Sequence, residues 1–175
     1  MPGVQWEFVL FADSEPNAFA VPGGKAGVNT GIMPIAITDA GLATIIGHEI
    51  AHLTARHAAE RVSQKRAAQI GAGVLGLVIP EAGLLTTGVG YGTQLGLLKF
   101  SRAHELEADQ IGSILMARAG YDPREAVNFW QRFADYKKQK GKATSMEFLS
   151  THPLDERRIN ALRSYIPRAM SEYLG

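Results

Sequence analysis

The 175-residue chain contains no cysteine. Disulfide bonds and thiolate metal sites are therefore excluded, so any bound metal must be held by histidine and carboxylate side chains. Excess charge is also lacking, because 18 Lys and Arg residues nearly balance 17 Asp and Glu residues and leave a formal net charge of +1. Since no basic stripe is interleaved with aromatic residues, we expect no nucleic-acid partner.

A signal peptide is also lacking at the N-terminus. The first residues, MPGVQWEFVLF, have neither the charged start nor the long apolar core of such a segment, which predicts a cytoplasmic protein or a mature chain. The rest of the composition is that of a globular protein, with 46 % hydrophobic residues. At this length, one domain spanning residues 1–175 is the simplest expectation.

The N-terminal residues predict a small antiparallel sheet. Residues 6–12 are aromatic and β-branched, as in a strand, and the turn-prone residues 13–16 follow. Residues 17–21 and 25–31 flank Pro-Gly-Gly and are typical of a hairpin. One edge of this sheet is expected to stay unpaired, where it either binds an extended peptide or is only structural.

Residues 47–57, GHEIAHLTARH, contain the pattern H-E-x-x-H as His48, Glu49 and His52. On an α-helix, His48 and His52 lie roughly 40° apart around the axis and one turn apart along it, so both can bind one cation. Glu49 lies about 60° from His52, off that line but within reach of water beside the metal, as a general base requires. Leucines and isoleucines at helical spacing flank the motif and indicate a buried helix, in which a metal would compensate the buried polar groups. We expect zinc.

The helix that carries this motif is predicted to begin at a cap on Thr38 or Asp39 and to continue to about Gln64. His57 lies on the same predicted helix, roughly 140° around the axis from His52. We therefore interpret His57 as structural, with a supporting role at the metal as the less favoured alternative.

A catalytic zinc with two histidine ligands requires a third protein ligand and a position open for water. Downstream of the motif, the candidate residues are His57, Glu60, His104, Glu105, Glu107, Asp109 and His152. Glu105 and Asp109 are four residues apart on a predicted helix, so one can bind the metal while the other accepts the second ring N–H of a ligand histidine. His104 points about 100° away from Glu105 and is the alternative. We favour Glu105 as the third ligand of one zinc ion per chain.

Residues 67–98 are rich in glycine and alanine and contain Glu81 as their only charged residue. Pro80 divides them into parts shorter than the ~20 apolar residues that a bilayer requires. We expect two short helices packed through small residues. Contact with a membrane surface and a movable cover over the metal cleft are the alternatives.

Four motifs together resemble a known family. H-E-x-x-H lies on one helix, S-R-x-x-E-x-E-A-D opens a later one, N-A-F-A-x-P-G-G precedes both, and T-H-P is followed by Arg158 and Ile159. This order resembles the zinc metallopeptidase family that includes the CAAX prenyl protease, the bacterial heat-shock protease HtpX and the mitochondrial Oma-type proteases. The resemblance covers nearly the whole chain and is strongest for its soluble or peripherally attached members in the cell envelope.

The resemblance implies an α+β fold, a mainly helical zincin-like (gluzincin) domain with the small antiparallel sheet near its N-terminus. It also implies the roles of the motif residues: zinc ligands His48, His52 and Glu105, the general base Glu49, and Asp109 as the partner of a ligand histidine.

Two further motifs carry expectations about the substrate. Asn17 and Ala18 are expected on a substrate-binding strand, and His152 is expected to face the cleft as a catalytic residue that stabilises the oxyanion. The function expected is a zinc-dependent endopeptidase of the cell envelope that cleaves unfolded or misassembled polypeptides, for which peripheral membrane contact through residues 67–98 is the alternative named above. Hydrolysis of a non-peptide amide and a metal-binding chaperone are the alternatives, although a purely structural zinc would not need Glu49.

Overall fold

The computed structural model of the chain describes residues 3–64, 66–67, 100–141 and 146–174. Its helices and strands in these ranges are, in order, β1 (Glu7–Phe11), β2 (Ala18–Val21), β3 (Lys25–Asn29), a 3-10 turn (Thr30–Ile32), α1 (Met33–Ala36), α2 (Asp39–Thr54), α3 (Arg102–Arg118), α4 (Glu125–Lys140), α5 (Glu147–Thr151) and α6 (Glu156–Met170). Residues 57–64 are also helical. The expected mainly helical α+β fold is confirmed, whereas the predicted segment 67–98 lies, from residue 68 onwards, outside the described residues.

The N-terminal sheet has the strand order β1-β3-β2. The predicted hairpin is present, because β2 pairs antiparallel with β3 and Ala18 lies opposite Val28. However, β1 pairs parallel with β3, so the sheet is mixed and the expectation of a wholly antiparallel sheet is wrong. Residues 12–17 carry the chain from one edge of the sheet to the other, which leaves room for β3 to enter between the two earlier strands.

Helix α2 begins as the sequence predicts, since the Thr38 hydroxyl accepts a hydrogen bond from the Gly41 N–H at 3.0 Å. It ends at Thr54 instead of continuing to Gln64. Arg56 adopts a left-handed conformation with φ of 60°, which stops the helix before a new one starts at His57. No glycine or proline marks this break, so the apolar spacing alone does not reveal it.

Helices α2 and α3 cross in direct backbone contact at two glycines. A Cβ atom added to Gly112 would lie 2.9 Å from the backbone nitrogen of His48 and 3.0 Å from the carbonyl carbon of Gly47. The hydrophobic core continues from this crossing towards α4 and α5, with the fully buried aromatic side chains Phe129, Trp130, Phe133 and Phe148. The close crossing brings the H-E-x-x-H helix against the helix that carries Glu105 and Asp109.

None of the helices within the described ranges combines the length and the apolar character needed to cross a membrane.

Candidate metal centre

Four buried side chains converge between α2, α3 and the end of α5. The Nε2 atoms of His48 and His52 are 3.0 Å apart, and they lie 3.5 and 3.2 Å from the Glu105 carboxylate oxygens. The Nδ1 atom of His152 lies 3.1 Å from Glu105 Oε1 and 3.4 Å from His48 Nε2. One ligand atom from each of these residues falls within 4.8 Å of all the others. Two donors on a tetrahedral ion with bonds of ~2.0–2.2 Å are separated by ~3.3–3.6 Å, so this donor set fits a small divalent cation.

Glu49 provides a second observation in favour of a metal. Its side chain is buried, and its Oε1 atom has no hydrogen-bond partner among the described residues. The nearest ring nitrogen, His152 Nε2, is 3.7 Å away, too far for a hydrogen bond. Burial raises the pKa of this carboxyl group. A buried, unpaired carboxylate oxygen beside a cluster of metal donors is where a general base for a water molecule belongs.

The Nδ1 atom of His48 lies 2.9 Å from Asp109 Oδ1. The hydrogen bond to the carboxylate holds a proton on Nδ1. The other ring nitrogen, Nε2, therefore faces the donor cluster. The geometry is the one expected from the four-residue spacing of Glu105 and Asp109 on α3.

Arg158 is a part of the site that the sequence motifs include without assigning it a role. Its guanidinium binds Asp109 through Nε at 2.6 Å and through Nη2 at 2.8 Å, and its Nη1 atom donates to Glu105 Oε2. It also donates to the Pro153 carbonyl and lies 4.3 Å above the Trp130 ring. Arg158 is buried, and α6 therefore supplies a positive charge that compensates the two buried carboxylates.

The contacts within the cluster favour a positive charge at its centre, because they raise the pKa of His48. Burial lowers the pKa of His48, but hydrogen bonds to Asp109 and Glu105 outweigh this effect and raise it to about 9. Burial lowers the pKa of His52 to about 3. Burial also opposes the ionisation of Glu105, yet hydrogen bonds from three histidines keep its pKa well below the ordinary range. These contacts therefore favour a protonated His48 beside an ionised Glu105 in the metal-free protein, at the place where a metal would bind.

His57 and His104 occupy a second group of polar side chains next to the first. The Nδ1 atom of His57 lies 2.9 Å from His52 Nδ1, and its Nε2 atom lies 3.2 Å from Glu107 Oε2. His104, the alternative ligand predicted from the sequence, is not in the donor cluster and contacts Glu60 at 3.2 Å. The expected 140° separation of His57 from His52 does not apply, because the helix is interrupted between them.

Ala18 is the first residue of β2, Asn17 immediately precedes it, and the strand packs against α2. The Ala18 side chain is buried in the hydrophobic core, and the Asn17 side chain accepts a hydrogen bond from the Ala18 N–H at 2.9 Å. Strand β2 is an edge strand of the sheet. Neither side chain belongs to the donor cluster, so any contact with a substrate would come from the backbone of this edge.

The fold and the site together are those of a metal-dependent peptidase of the H-E-x-x-H type, in which a histidine pair on one helix lies beside a carboxylate on a second helix. Residues 1–166 match the model of peptidase family M48, and the chain belongs to that family. This match confirms both the predicted family and the predicted class of enzyme, a metallopeptidase.

Characterised relatives support the same assignment. The chain is 38 % identical to the mitochondrial metalloendopeptidase OMA1 of Saccharomyces cerevisiae over 182 residues, which cover 99 % of this chain and 50 % of the relative. It is 32 % identical to the β-barrel assembly-enhancing protease of Escherichia coli over 167 residues, or 91 % of this chain and 34 % of the relative. The chain thus spans half or less of the length of these relatives.

Proposed function

We propose that the chain is a zinc-dependent endopeptidase in which His48, His52 and Glu105 bind one zinc ion and Glu49 is the general base. The observation that carries this proposal is the buried donor cluster with the unpaired Oε1 atom of Glu49 next to it. The three proposed ligands are two imidazoles and one carboxylate out of the four donors of the cluster, a combination that suits zinc and leaves a coordination position for water or substrate.

A zinc ion held by these residues would supply Lewis acidity, which would polarise the scissile carbonyl group and make a water molecule easier to deprotonate. Glu49 takes the proton of the attacking water at its unpaired Oε1 atom and delivers it to the nitrogen of the departing amine. Asp109 holds His48 in the tautomer that directs Nε2 to the donor cluster. The contacts of Glu49 therefore suit the general base, and those of Asp109 suit the positioning of His48.

The two ring nitrogens of His152 face different parts of the site. Its Nδ1 atom faces the donor cluster, while its Nε2 atom is turned towards Glu49. We propose that His152 stabilises the oxyanion when a substrate is bound, since a ring N–H at this place can donate to an oxygen above the cluster. Stacking on Phe148, with ring centroids 4.3 Å apart, fixes the plane of the imidazole.

For the substrate, we propose an unfolded or misassembled polypeptide that adds to the free edge of β2 by backbone hydrogen bonds. Ala18 begins this edge, and Asn17 immediately precedes it. We further propose that the protein works in the cell envelope. The names of its relatives support this, since one is mitochondrial and another enhances β-barrel assembly. A metal-binding chaperone is the less favoured alternative, because the unpaired carboxylate of Glu49 has no use in it.

The proposal is tested by replacing Glu49 with glutamine and measuring both casein cleavage and bound zinc. We expect Glu49→Gln to keep one zinc ion per chain but to lose at least about 10²-fold in activity, because the amide cannot accept the proton. Glu60→Gln is the matched control, since Glu60 is outside the donor cluster and its side chain is 53 % exposed. Cleavage by Glu49→Gln at the rate of the control would refute the assignment of the base.

The assignment of the third ligand has its own test. We expect Glu105→Ala to lose zinc in a competition with a chelator, whereas His104→Ala should retain it, because Glu105 contacts both histidines of the motif and the His104 side chain lies outside the donor cluster. Full zinc content with unchanged affinity in Glu105→Ala would mean that another residue completes the site.

A further inference from the structure

We propose that His57 is a positioning residue for the metal ligand His52, and that the break in the helix at Arg56 exists to bring His57 into this role. Glu107, on α3, anchors the far side of the His57 ring. This inference rests on the proposed metal site and assigns a task to three residues that lie outside it.

The backbone conformation at Arg56 changes the direction of the chain before His57. An uninterrupted helix would place His57 about 140° around the axis from His52, where the two rings cannot meet. The left-handed φ of 60° at Arg56 is a conformation that side chains other than glycine rarely adopt, and it redirects the chain after Thr54. Such an outlier persists where the surrounding structure requires it, and functional sites are where such outliers cluster.

The contact made possible by this break is the second step. His57 Nδ1 lies 2.9 Å from His52 Nδ1, and the two ring centroids are 5.0 Å apart. Two imidazole nitrogens at this distance must share one proton between a donor and an acceptor. When His52 binds metal through Nε2, its Nδ1 carries the proton and donates a hydrogen bond to His57 Nδ1.

The third step is the tautomer of His57. If Nδ1 of His57 accepts a hydrogen bond, its Nε2 carries the proton and must donate. Glu107 Oε2 lies 3.2 Å from that nitrogen, so the acceptor is present. Every donor in the chain of hydrogen bonds from His52 through His57 to Glu107 therefore has an acceptor. This chain fixes His52 with Nε2 free for the metal.

The other ligand histidine is held in the same way. His48 contacts Asp109 through Nδ1 at 2.9 Å, while His52 contacts His57 through its own Nδ1 at 2.9 Å. Both histidines of the motif thus have their second ring nitrogen fixed by a partner, in one case directly by a carboxylate and in the other through an imidazole. His57 is only 1 % exposed, and its ring stacks on His104 with centroids 4.4 Å apart, so it has no freedom to turn away.

The test uses three replacements of His57 that differ in where they place an acceptor. In His57→Asn, the amide oxygen takes the position of Nδ1 and can still accept a hydrogen bond from His52. In His57→Gln the amide reaches the position of Nε2 instead, and His57→Phe keeps the ring shape without an acceptor. His104→Phe is the matched control, because it replaces the stacked neighbour, which does not contact the donor cluster.

Zinc affinity is measured by competition with a chelator, on variants shown by circular dichroism to be folded. We expect His57→Phe and His57→Gln to bind zinc about 10- to 100-fold more weakly than the wild type, as is typical for the loss of such a partner, and His57→Asn and His104→Phe to stay within about 3-fold. In the zinc-loaded wild type, NMR should show a slowly exchanging His52 Nδ1–H resonance that disappears in His57→Phe.

The outcomes separate this inference from the proposed function. A wild type that binds no zinc would overturn both. A wild type that binds zinc, together with equal affinities and an unchanged His52 resonance in His57→Phe and His57→Gln, would refute only the role of His57. Equal weakening in all three His57 variants, including His57→Asn, would show that the imidazole matters for packing and would also refute its role as an acceptor.

Discussion

At the scale of single residues, the metal centre depends on charges that compensate one another in the interior. Arg158 binds both Asp109 and Glu105, and all three side chains are almost completely buried. The guanidinium contacts both carboxylates, and hydrogen bonds to Asp109 and Glu105 raise the pKa of His48, which favours a second positive charge beside them when no metal is bound. A buried charge without a partner is strongly destabilising, so the contribution of Arg158 must depend on whether zinc is present.

We therefore expect Arg158→Met to lower the free energy of unfolding by about 3–5 kcal/mol in the zinc-free protein and by clearly less in the zinc-loaded protein. Chemical denaturation with and without a chelator measures the difference. Arg157→Met is the control, since Arg157 is the exposed neighbour and should change stability by less than about 0.5 kcal/mol. Equal losses with and without zinc would contradict this electrostatic role.

The raised pKa of His48 leads to a second prediction at this scale. In the zinc-free protein the value is about 9, compared with an ordinary value of 6.5. A raised folded-state pKa means that protonation stabilises the fold, so this contribution is fully present below pH 6.5 and is lost as the pH rises through about 9. We expect a loss on the order of 2–3 kcal/mol across this range without zinc.

The same proton must leave when zinc binds through His48 Nε2. At pH 7.5, calorimetry in buffers of different ionisation enthalpy should therefore detect the release of about one proton per zinc ion, and this number should fall above pH 9. His52 releases none, because its pKa of about 3 leaves it neutral. Zinc binding at pH 7.5 without proton release would show that His48 is not protonated in the free protein.

The site residues that can be predicted from the sequence are those whose roles follow from their spacing along one helix. The i and i+4 spacings of His48 with His52 and of Glu105 with Asp109 place these residues on common helix faces, and the structure brings them together. The roles of Arg158 and His57 could not be predicted in this way. Arg158 reaches the site only through the packing of α6 on α3, and His57 reaches it only through an unmarked helix break.

At the scale of elements, the distance between α2 and α3 sets the geometry of the donor cluster. The two helices touch at Gly47 and Gly112, one residue before His48 on α2 and three residues after Asp109 on α3. A side chain at position 112 would collide with the backbone of the H-E-x-x-H helix, whose atoms cannot move without moving His48.

We expect Gly112→Ala to destabilise the protein by about 1–3 kcal/mol, although alanine favours a helix over glycine by about 1 kcal/mol. Zinc affinity should fall as well, because separating the helices moves His48 away from Glu105. Thermal unfolding and chelator competition measure the two effects. Gln110→Ala, on the same helix, should change neither by a comparable amount. A Gly112→Ala variant that is more stable than the wild type would show that the crossing is looser than this contact implies.

The topology of the sheet shows the limit of prediction at this scale. The hairpin of β2 and β3 follows from a local turn signal and is confirmed, whereas the parallel pairing of β1 with β3 requires that β3 insert between two earlier strands. Strand periodicity reports which residues face the core but not which strands are neighbours. The helix caps at Thr38 and Ser101 were predictable, because each depends on one side chain and the next three residues.

At the scale of the whole molecule, the metal centre joins parts that are distant in sequence. His48 and His52 come from α2, Glu105 comes from α3, and Arg158 on α6 binds the carboxylates of α3. Arg158 also lies against Trp130 of α4, so the site contacts four of the helices in the described part of the chain. A ligand that binds only the folded state stabilises all the helices that fold cooperatively with its binding site.

We therefore expect zinc to stabilise the chain as one cooperative unit. Removing zinc with a chelator should lower the free energy of unfolding by about 2.7 kcal/mol relative to a zinc concentration 100 times the dissociation constant. In a Trp6→Phe background, Trp130 fluorescence reports the core beside the site, while far-ultraviolet circular dichroism reports all helices. Because α2, α3, α4 and α6 share one core and one metal centre, both signals should shift together and keep a common midpoint with and without zinc. Separate midpoints would show that the metal centre and the surrounding helices unfold as independent units, and would refute the prediction of a single domain.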